Sequence, residues 1–305
     1  MTNDQEPKRQ RVPKPEWLRI RLPKGTAFGR TCETVAGRGL RTVCRDAACP
    51  NIFECFSKKT ATFLILGGHC TRNCAFCNIG PGLPDPVDPG EPGRVAEAAR
   101  ELGLRHVVVT SVTRDDLEDG GAAHFAAVTG AVRATLPQAA VELLIPDFQG
   151  DEDALSLVIA ARPDVLNHNV ETAPGLYPRI RPQAGYEQSL TLLRRAARAG
   201  LVAKSGLMAG LGETDGDIRG VVRDLADAGC SIVTIGQYLQ PSRRHPEPAR
   251  YVHPAVFEEY AAYGRSLGVR HMFCAPLVRS SYHAELFARD GAPEDLGGPG
   301  RPGQP

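Results

Sequence analysis

Residues 63–77 read Phe63-Leu-Ile-Leu-Gly-Gly-His-Cys70-Thr-Arg-Asn-Cys74-Ala-Phe-Cys77. An apolar, β-rich run ends in a glycine pair, and three thiols follow at C-x3-C-x2-C spacing. Just upstream, Cys44, Cys49 and Cys55 make a second triplet at C-x4-C-x5-C spacing, so six of the nine cysteines fall in one short stretch. Thiolates are soft ligands that suit zinc or iron–sulfur clusters. A zinc site is normally closed by four ligands, whereas a triplet suggests a cubane cluster with three irons held by protein and one corner open. On spacing alone both readings stand, because four of the six thiols could close one structural zinc and leave two over. Disulfides are not expected in a chain without a secretory start.

The bulk properties narrow the class. The chain has 305 residues with 36 basic and 35 acidic side chains, which gives no electrostatic case for nucleic acid. No apolar run reaches the length of a membrane span, so no membrane partner is expected. Asp4, Glu6 and Glu16 near the N-terminus argue against a signal or transit peptide. A cytoplasmic, reducing location is therefore expected, and it suits oxygen-sensitive thiolates. A chain this long buries most of its unfolded surface and needs no metal merely to stay folded.

Outward from the quoted stretch a rhythm appears. Short β-rich runs are expected at 62–66, 106–110, 140–145, 165–170, 202–208, 232–237 and 271–275. Helix-like segments lie between them at 94–102, 122–136, 151–161, 187–199, 215–228 and 254–267. The alternation predicts an α/β fold, a partial (β/α) TIM-type barrel of about six to seven parallel strands with N-terminal and C-terminal extensions. The expected organisation is a flexible arm over 1–15, an extension carrying the upstream triplet over 16–60, the barrel over 61–290 and a disordered glycine- and proline-rich tail over 291–305. Residues 32–58 show little periodicity and are expected to be fixed by ligands more than by packing.

Barrel chemistry sits at the C-terminal ends of strands, and here those ends are polar. They carry Thr110-Ser111 with Arg114-Asp115-Asp116, Asp147, Asn167-His-Asn-Val-Glu171, Lys204-Ser205, Gln237-Tyr238 and Arg279-Ser-Ser-Tyr282. His168 reads as a hydrogen-bonded barrel histidine rather than a ligand. Gly210-Leu-Gly-Glu-Thr-Asp-Gly216 lacks the Walker lysine and reads as a tight turn capped by Thr214 or Asp215. Cys32 and Cys230 read as packing residues.

The C-x3-C-x2-C loop after a first barrel strand, with Phe76 before its last cysteine, resembles the radical S-adenosylmethionine superfamily. The upstream triplet and Arg279-Ser-Ser-Tyr282 are similar to the lipoyl synthase family within it. The resemblance runs from about Lys14 to His283, with Gly68 where the family often has aspartate and Phe273-Cys-Ala-Pro276 where Ser-Gly-Pro is common. It implies two [4Fe–4S] clusters and S-adenosyl-L-methionine. One cluster would sit on Cys70, Cys74 and Cys77. An auxiliary, sacrificial cluster would sit on Cys44, Cys49, Cys55 and Ser281, with Cys274 as an additional thiol near that site. Phe76, Asn169, Glu171 and Arg181 are the candidates for contacting the cofactor, and Lys204 and Arg279 for lining the substrate channel. The implied reaction is radical insertion of two sulfur atoms at C6 and C8 of an octanoyl group on a lysine of a lipoyl carrier domain. The implied partners are such carriers (a 2-oxoacid dehydrogenase E2 or the glycine cleavage H protein), an electron donor such as flavodoxin or ferredoxin, and an iron–sulfur cluster carrier. Two rivals remain: another radical enzyme that inserts sulfur, and a non-catalytic zinc or iron–sulfur protein.

Overall fold

The computed structural model describes residues 13–19, 27–58 and 60–281. The expected tail, most of the N-terminal arm and Tyr282 lie outside the described residues. After a 3-10 turn at Glu16–Leu18 come α1 (Ala27–Gly37), β1 (Arg41–Thr42), α2 (Val43–Asp46), α3 (Ile52–Ser57) and β2 (Thr62–Ile65). Strand and helix then alternate through α4 (Glu91–Leu102), β3 (His106–Ser111), α5 (Ala122–Thr135), β4 (Ala140–Leu144), α6 (Glu152–Ala160) and β5 (Val165–Asn167). The chain continues through α7 (Tyr177–Ile180), α8 (Tyr186–Arg198), β6 (Val202–Ala209), α9 (Asp215–Asp227), β7 (Ile232–Gln237), α10 (Pro254–Ser266) and β8 (His271–Cys274).

Local chemistry explains the boundaries. In α9 the Thr214 hydroxyl accepts from the Asp217 amide at 3.1 Å while the Asp217 carboxylate accepts from Thr214, a reciprocal cap that satisfies two orphan donors. Ile218, Val221, Val222 and Leu225 then fall on one face and are buried, each contributing about 1.5–3 kcal/mol as an upper range. Asp151 caps α6 by accepting from the amides of Asp153 and Ala154. Proline at the first turn of α4 and α10 fits where no intrahelical donor is needed.

The eight strands form one sheet in sequence order, with β1 antiparallel to β2 and β2 through β8 parallel. The sheet is open, a partial barrel, since no pairing joins β8 to β2 among the described residues. Period-two alternation separates two environments. Val107, Val109, Val141, Leu143, Ala203, Val233 and Ile235 face the helices and make the main core. The opposite face points into the barrel, where Val108 and Ile232 pack with Val202 and Phe273 in a small separate cluster.

Residues 32–58 differ from expectation. They are not irregular: most of α1 and all of α2 and α3 lie there, and Phe56, Cys44 and Ala61 form a small core with Phe28, Cys32, Ile52 and Cys55. Helices α2 and α3, of four and six residues, are too short for periodicity to reveal them, and α1 carries glycine within it and at its end. Strand β5 also stops earlier than the run 165–170 implies. Asn169 leaves the ladder as the backbone turns, and Glu171 returns to it as an isolated bridge to Leu207 on β6, in the left-handed region at φ 66°.

Candidate cluster and cofactor site

Strand β2 delivers the quoted loop to the C-terminal rim of the sheet. The Cys70 thiol accepts from the amides of Arg72 and Thr113, both at 3.4 Å. The Ala75 amide donates to the Ile180 carbonyl at 2.9 Å, and His245 Nε2 lies 3.0 Å from the Cys77 carbonyl. Phe76 packs with Ala75 and Met208 against Ile180, Leu211 and Tyr238, so it anchors one wall of the loop. Burial pushes the Cys77 thiol up to about 12 and also raises Cys74, while the Arg181 guanidinium pulls Cys74 back down. Such thiols need a metal or a cation to stand as thiolates at neutral pH.

Arg72, between the first two cysteines, carried no signal in the sequence beyond its charge. Its guanidinium bonds Asp115 from Nε at 2.7 Å and Nη2 at 2.8 Å, and Asp147 from Nη1 at 2.9 Å and Nη2 at 2.7 Å. Its side chain is 5% exposed, and that of Asp147 is fully buried. The pair of forks ties the cysteine loop to the loops after β3 and β4.

Asn169, Glu171 and Arg181 come together on the β5 side of the rim. Asn169 Nδ2 donates to Glu171 Oε1 at 3.1 Å, and Arg181 Nη1 donates to the Asn169 carbonyl at 2.9 Å. Burial raises the Glu171 carboxyl, against the pull of Arg181. Both Glu171 and Arg181 act electrostatically on Cys74, which places this polar set beside the cysteine loop. His168 is fully enclosed, bonded to the Ile145 carbonyl at 2.9 Å and the Ser189 hydroxyl at 3.0 Å, as expected for a barrel histidine. The 210–216 loop is a turn: Glu213 accepts from the amides of Gly210 and Leu211, and Thr214 is the cap.

The upstream triplet meets the other end of the chain. Cys44, Cys49 and Cys55 line one cavity with Asn51, Thr62, Arg279 and Ser281. Thr62 donates to the Ser281 hydroxyl at 2.8 Å, and Asn51 Nδ2 holds the Leu277 carbonyl at 2.7 Å. After β8 the chain crosses closely over β7, where a Cβ on Gly236 would run into the Val278 carbonyl and the Arg279 guanidinium. Arg279 is thereby set between Cys49 and Glu171; burial weakens its hold on its proton, against the attraction of both groups. Burial raises the Cys44 thiol to about 11 and raises Cys49, which Arg279 draws down. Three soft sulfurs and one hard oxygen around one cavity are a donor set that fits an iron–sulfur cluster.

Two expectations need correction. Cys274 does not approach this cavity: it pairs with Ile235 and packs on the helix-facing core, because strand parity points it outward. Lys204 does not line an open channel. It is fully buried and its ammonium donates to Glu142 Oε1 at 2.8 Å, with His106 Nε2 3.1 Å from Oε2. Among the described residues no three His, Cys, Asp or Glu side chains lie close enough to share one metal ion. Thiolates that each bind a different iron stand farther apart than ligands of a single zinc. Among the described residues no helix is long and apolar enough to cross a membrane.

An open parallel barrel with a three-cysteine loop after its first parallel strand defines a radical S-adenosylmethionine enzyme, and the Radical SAM superfamily model matches residues 64–225. The methylornithine synthase PylB shares the fold at TM-score 0.53 and 12% identity over 70% of each chain. Streptococcus suis SuiB does so at TM-score 0.56 and 9% identity over 73% of this chain and 52% of its own. The lipoyl synthase of Oleidesulfovibrio alaskensis is 66% identical over 276 residues, covering 90% of this chain and 95% of that one. That of Caldicellulosiruptor saccharolyticus is 56% identical over 89% of this chain and 96% of its own. The chain belongs to the lipoyl synthase family. Membership makes it a sulfur-inserting transferase with S-adenosylmethionine and [4Fe–4S] clusters as cofactors.

Proposed function

We propose that Cys70, Cys74 and Cys77 hold one [4Fe–4S] cluster and that Cys44, Cys49, Cys55 and Ser281 hold a second, and that the two act together on an octanoyl group carried by a lysine of a lipoyl carrier domain. The observation that carries this reading is the convergence of the upstream triplet with Ser281 on one cavity. Bound together, S-adenosylmethionine and the clusters supply a radical able to take hydrogen from unactivated C–H bonds, and the sulfur that replaces it.

The chain's own residues orient and protect this chemistry. Arg72 fixes the cysteine loop, and the amides of Arg72 and Thr113 steady the Cys70 sulfur. Asn169, Glu171 and Arg181 present an amide, a carboxylate and a guanidinium where the ammonium, carboxylate and ribose hydroxyls of S-adenosylmethionine need partners. Phe76 supplies the apolar wall. Arg279 sits near Cys49 and Glu171 and balances negative charge on both sides. The serine oxygen is a harder donor than thiolate and suits such an iron less well, so Ser281 is the ligand the chain gives up most readily. That property fits a cluster that yields its sulfur at C6 and C8 rather than only carrying electrons.

The proposed carriers are the E2 subunits of 2-oxoacid dehydrogenases and the glycine cleavage H protein, with a flavodoxin- or ferredoxin-type electron donor and an iron–sulfur carrier that rebuilds the consumed cluster. The proposed division is a cluster-bearing extension over 16–60 on a barrel over 61–290, in a cytoplasmic setting. The test is Ser281→Cys under anaerobic single turnover with excess octanoyl carrier. The variant is expected to load both clusters and to form 5′-deoxyadenosine at the wild-type level, with much less dithiolated product per chain. Equal lipoyl yield would show that the serine oxygen is not needed.

A further inference from the structure

The barrel interior contains a hydrogen-bond chain whose direction is fixed by chemistry. Glu142 is fully buried and, held at about 2 by Lys204 and His106 against the opposing effect of burial, is ionised at neutral pH. An ionised carboxylate only accepts. Asn167, also fully buried, must therefore turn its amide nitrogen toward Glu142, and it does so at 2.9 Å. The second hydrogen of that nitrogen goes to the Ser280 hydroxyl at 2.7 Å. Ser280 has then accepted, and its own proton goes to Asn169 Oδ1 at 3.0 Å. Asn169 in turn donates to Glu171 at 3.1 Å. Among the described residues Asn167 Oδ1 has no partner, so the amide is oriented by its nitrogen's two bonds.

Each member has one workable orientation, and the Ser280 hydroxyl serves as the link because one oxygen both accepts from Asn167 and donates to Asn169. The chain begins at a carboxylate deep in the barrel and ends on the carboxylate beside Cys74. Its middle is the residue next to Ser281, whose own hydroxyl is held by Thr62 of β2 at 2.8 Å. The segment that carries Ser281 is thus gripped through Ser280 by Asn169, and Asn169 is gripped by Glu171.

We infer that Ser280 is a positioning residue that couples the Asn169–Glu171 side of the site to Ser281, so that filling the S-adenosylmethionine side alters how Ser281 is presented to the auxiliary cysteines. This rests on the reading that Ser281 is a ligand and that Asn169 and Glu171 meet the cofactor. A cofactor that engages Asn169 or Glu171 competes for the last links of the chain and changes the hold on residues 280–281. Linkage is reciprocal, so the state of Ser281 must also change S-adenosylmethionine affinity, and only while Ser280 connects them.

The test is a double-variant cycle on the anaerobic, cluster-loaded protein, with the dissociation constant of S-adenosylmethionine measured by equilibrium dialysis. Ser281→Ala is measured in three backgrounds: wild type, Ser280→Thr, which keeps the hydroxyl, and Ser280→Val, which keeps the threonine shape without it. The expected result is that Ser281→Ala changes the constant about fivefold or more with serine or threonine at 280, and by less than about twofold with valine. A change of the same size in all three backgrounds, or none in the first two, would overturn the coupling. Mössbauer spectra of the 57Fe-loaded Ser281→Ala protein without cofactor test the underlying reading separately. An auxiliary-cluster spectrum identical to wild type would remove Ser281 as a ligand, whatever the cycle gives. A changed spectrum with equal shifts in the cycle would leave the ligand and remove the coupling.

Discussion

Replacing Arg72 by methionine keeps most of the side-chain volume and removes the fork that ties the cysteine loop to Asp115 and Asp147. Four hydrogen bonds are lost, all between 2.7 and 2.9 Å. The larger effect is what remains, since Asp147 stays fully buried without its bonded guanidinium, whereas Asp115 is 27% exposed and recovers water. Removing one partner of a buried pair costs about 3–5 kcal/mol, most of it the uncompensated charge. Counting Asp147 as buried and Asp115 as partly solvated gives about 4 kcal/mol. With a urea slope of about 3 kcal/mol/M for a domain of this size, the unfolding midpoint should fall by about 1.3 M at pH 7. The sign of the pH dependence is fixed. Arg72 outweighs burial and holds Asp147 below its ordinary carboxylate value, so the pair stabilises above that value and loses its effect as pH falls through the lowered one. The gap between wild type and Arg72→Met should therefore narrow in acid. Adding Asp147→Asn and Asp115→Asn should restore at least half of the loss at pH 7. A midpoint shift below about 0.3 M, or no recovery in the triple variant, would refute the account of this loop.

Glu142→Gln should cost about 3 kcal/mol at pH 7 by leaving Lys204 and His106 without their carboxylate, read as a lower urea midpoint. It should also flatten the acid limb of the stability curve, because ionised Glu142 stabilises above the ordinary value of 4.5 and that effect is lost as pH falls toward about 2. Burial holds His168 near 4, so the unfolded chain takes up a proton first and wild type loses stability as pH falls from about 6.5 to 4. His168→Gln should weaken that slope, as followed by urea titrations at stepped pH. Trp17, 41% exposed and edge-on to His253 at 5.1 Å between ring centroids, should cost less than about 1.5 kcal/mol when changed to alanine, by the same measurement.

Much of the fold was legible because its strands are β-branched runs and its helices amphipathic. All seven parallel strands and the six long helices between them fall within a few residues of where periodicity puts them. The cysteine loop was legible for a different reason, since ligand spacing is written directly in sequence. What periodicity missed is what tertiary contact decides. The α1–α3 region folds around Phe56 and Cys44, with α2 and α3 too short to show a face. Strand parity, which turns Cys274 away from the upstream triplet, depends on a register no single strand reveals. Arg72 reads as an ordinary surface charge until β3 and β4 bring Asp115 and Asp147 to it. The place of Ser280 in the barrel depends on the return of the chain after β8.

Iron and acid-labile sulfide per chain, measured on anaerobically prepared protein, test the two-cluster assignment most directly. Two cubanes predict about eight of each in wild type and about four in either triple alanine variant, of Cys44, Cys49 and Cys55 or of Cys70, Cys74 and Cys77. Reductive cleavage of S-adenosylmethionine should survive in the first variant and vanish in the second. Zinc in place of iron, or cleavage retained without Cys70, Cys74 and Cys77, would contradict the assignment.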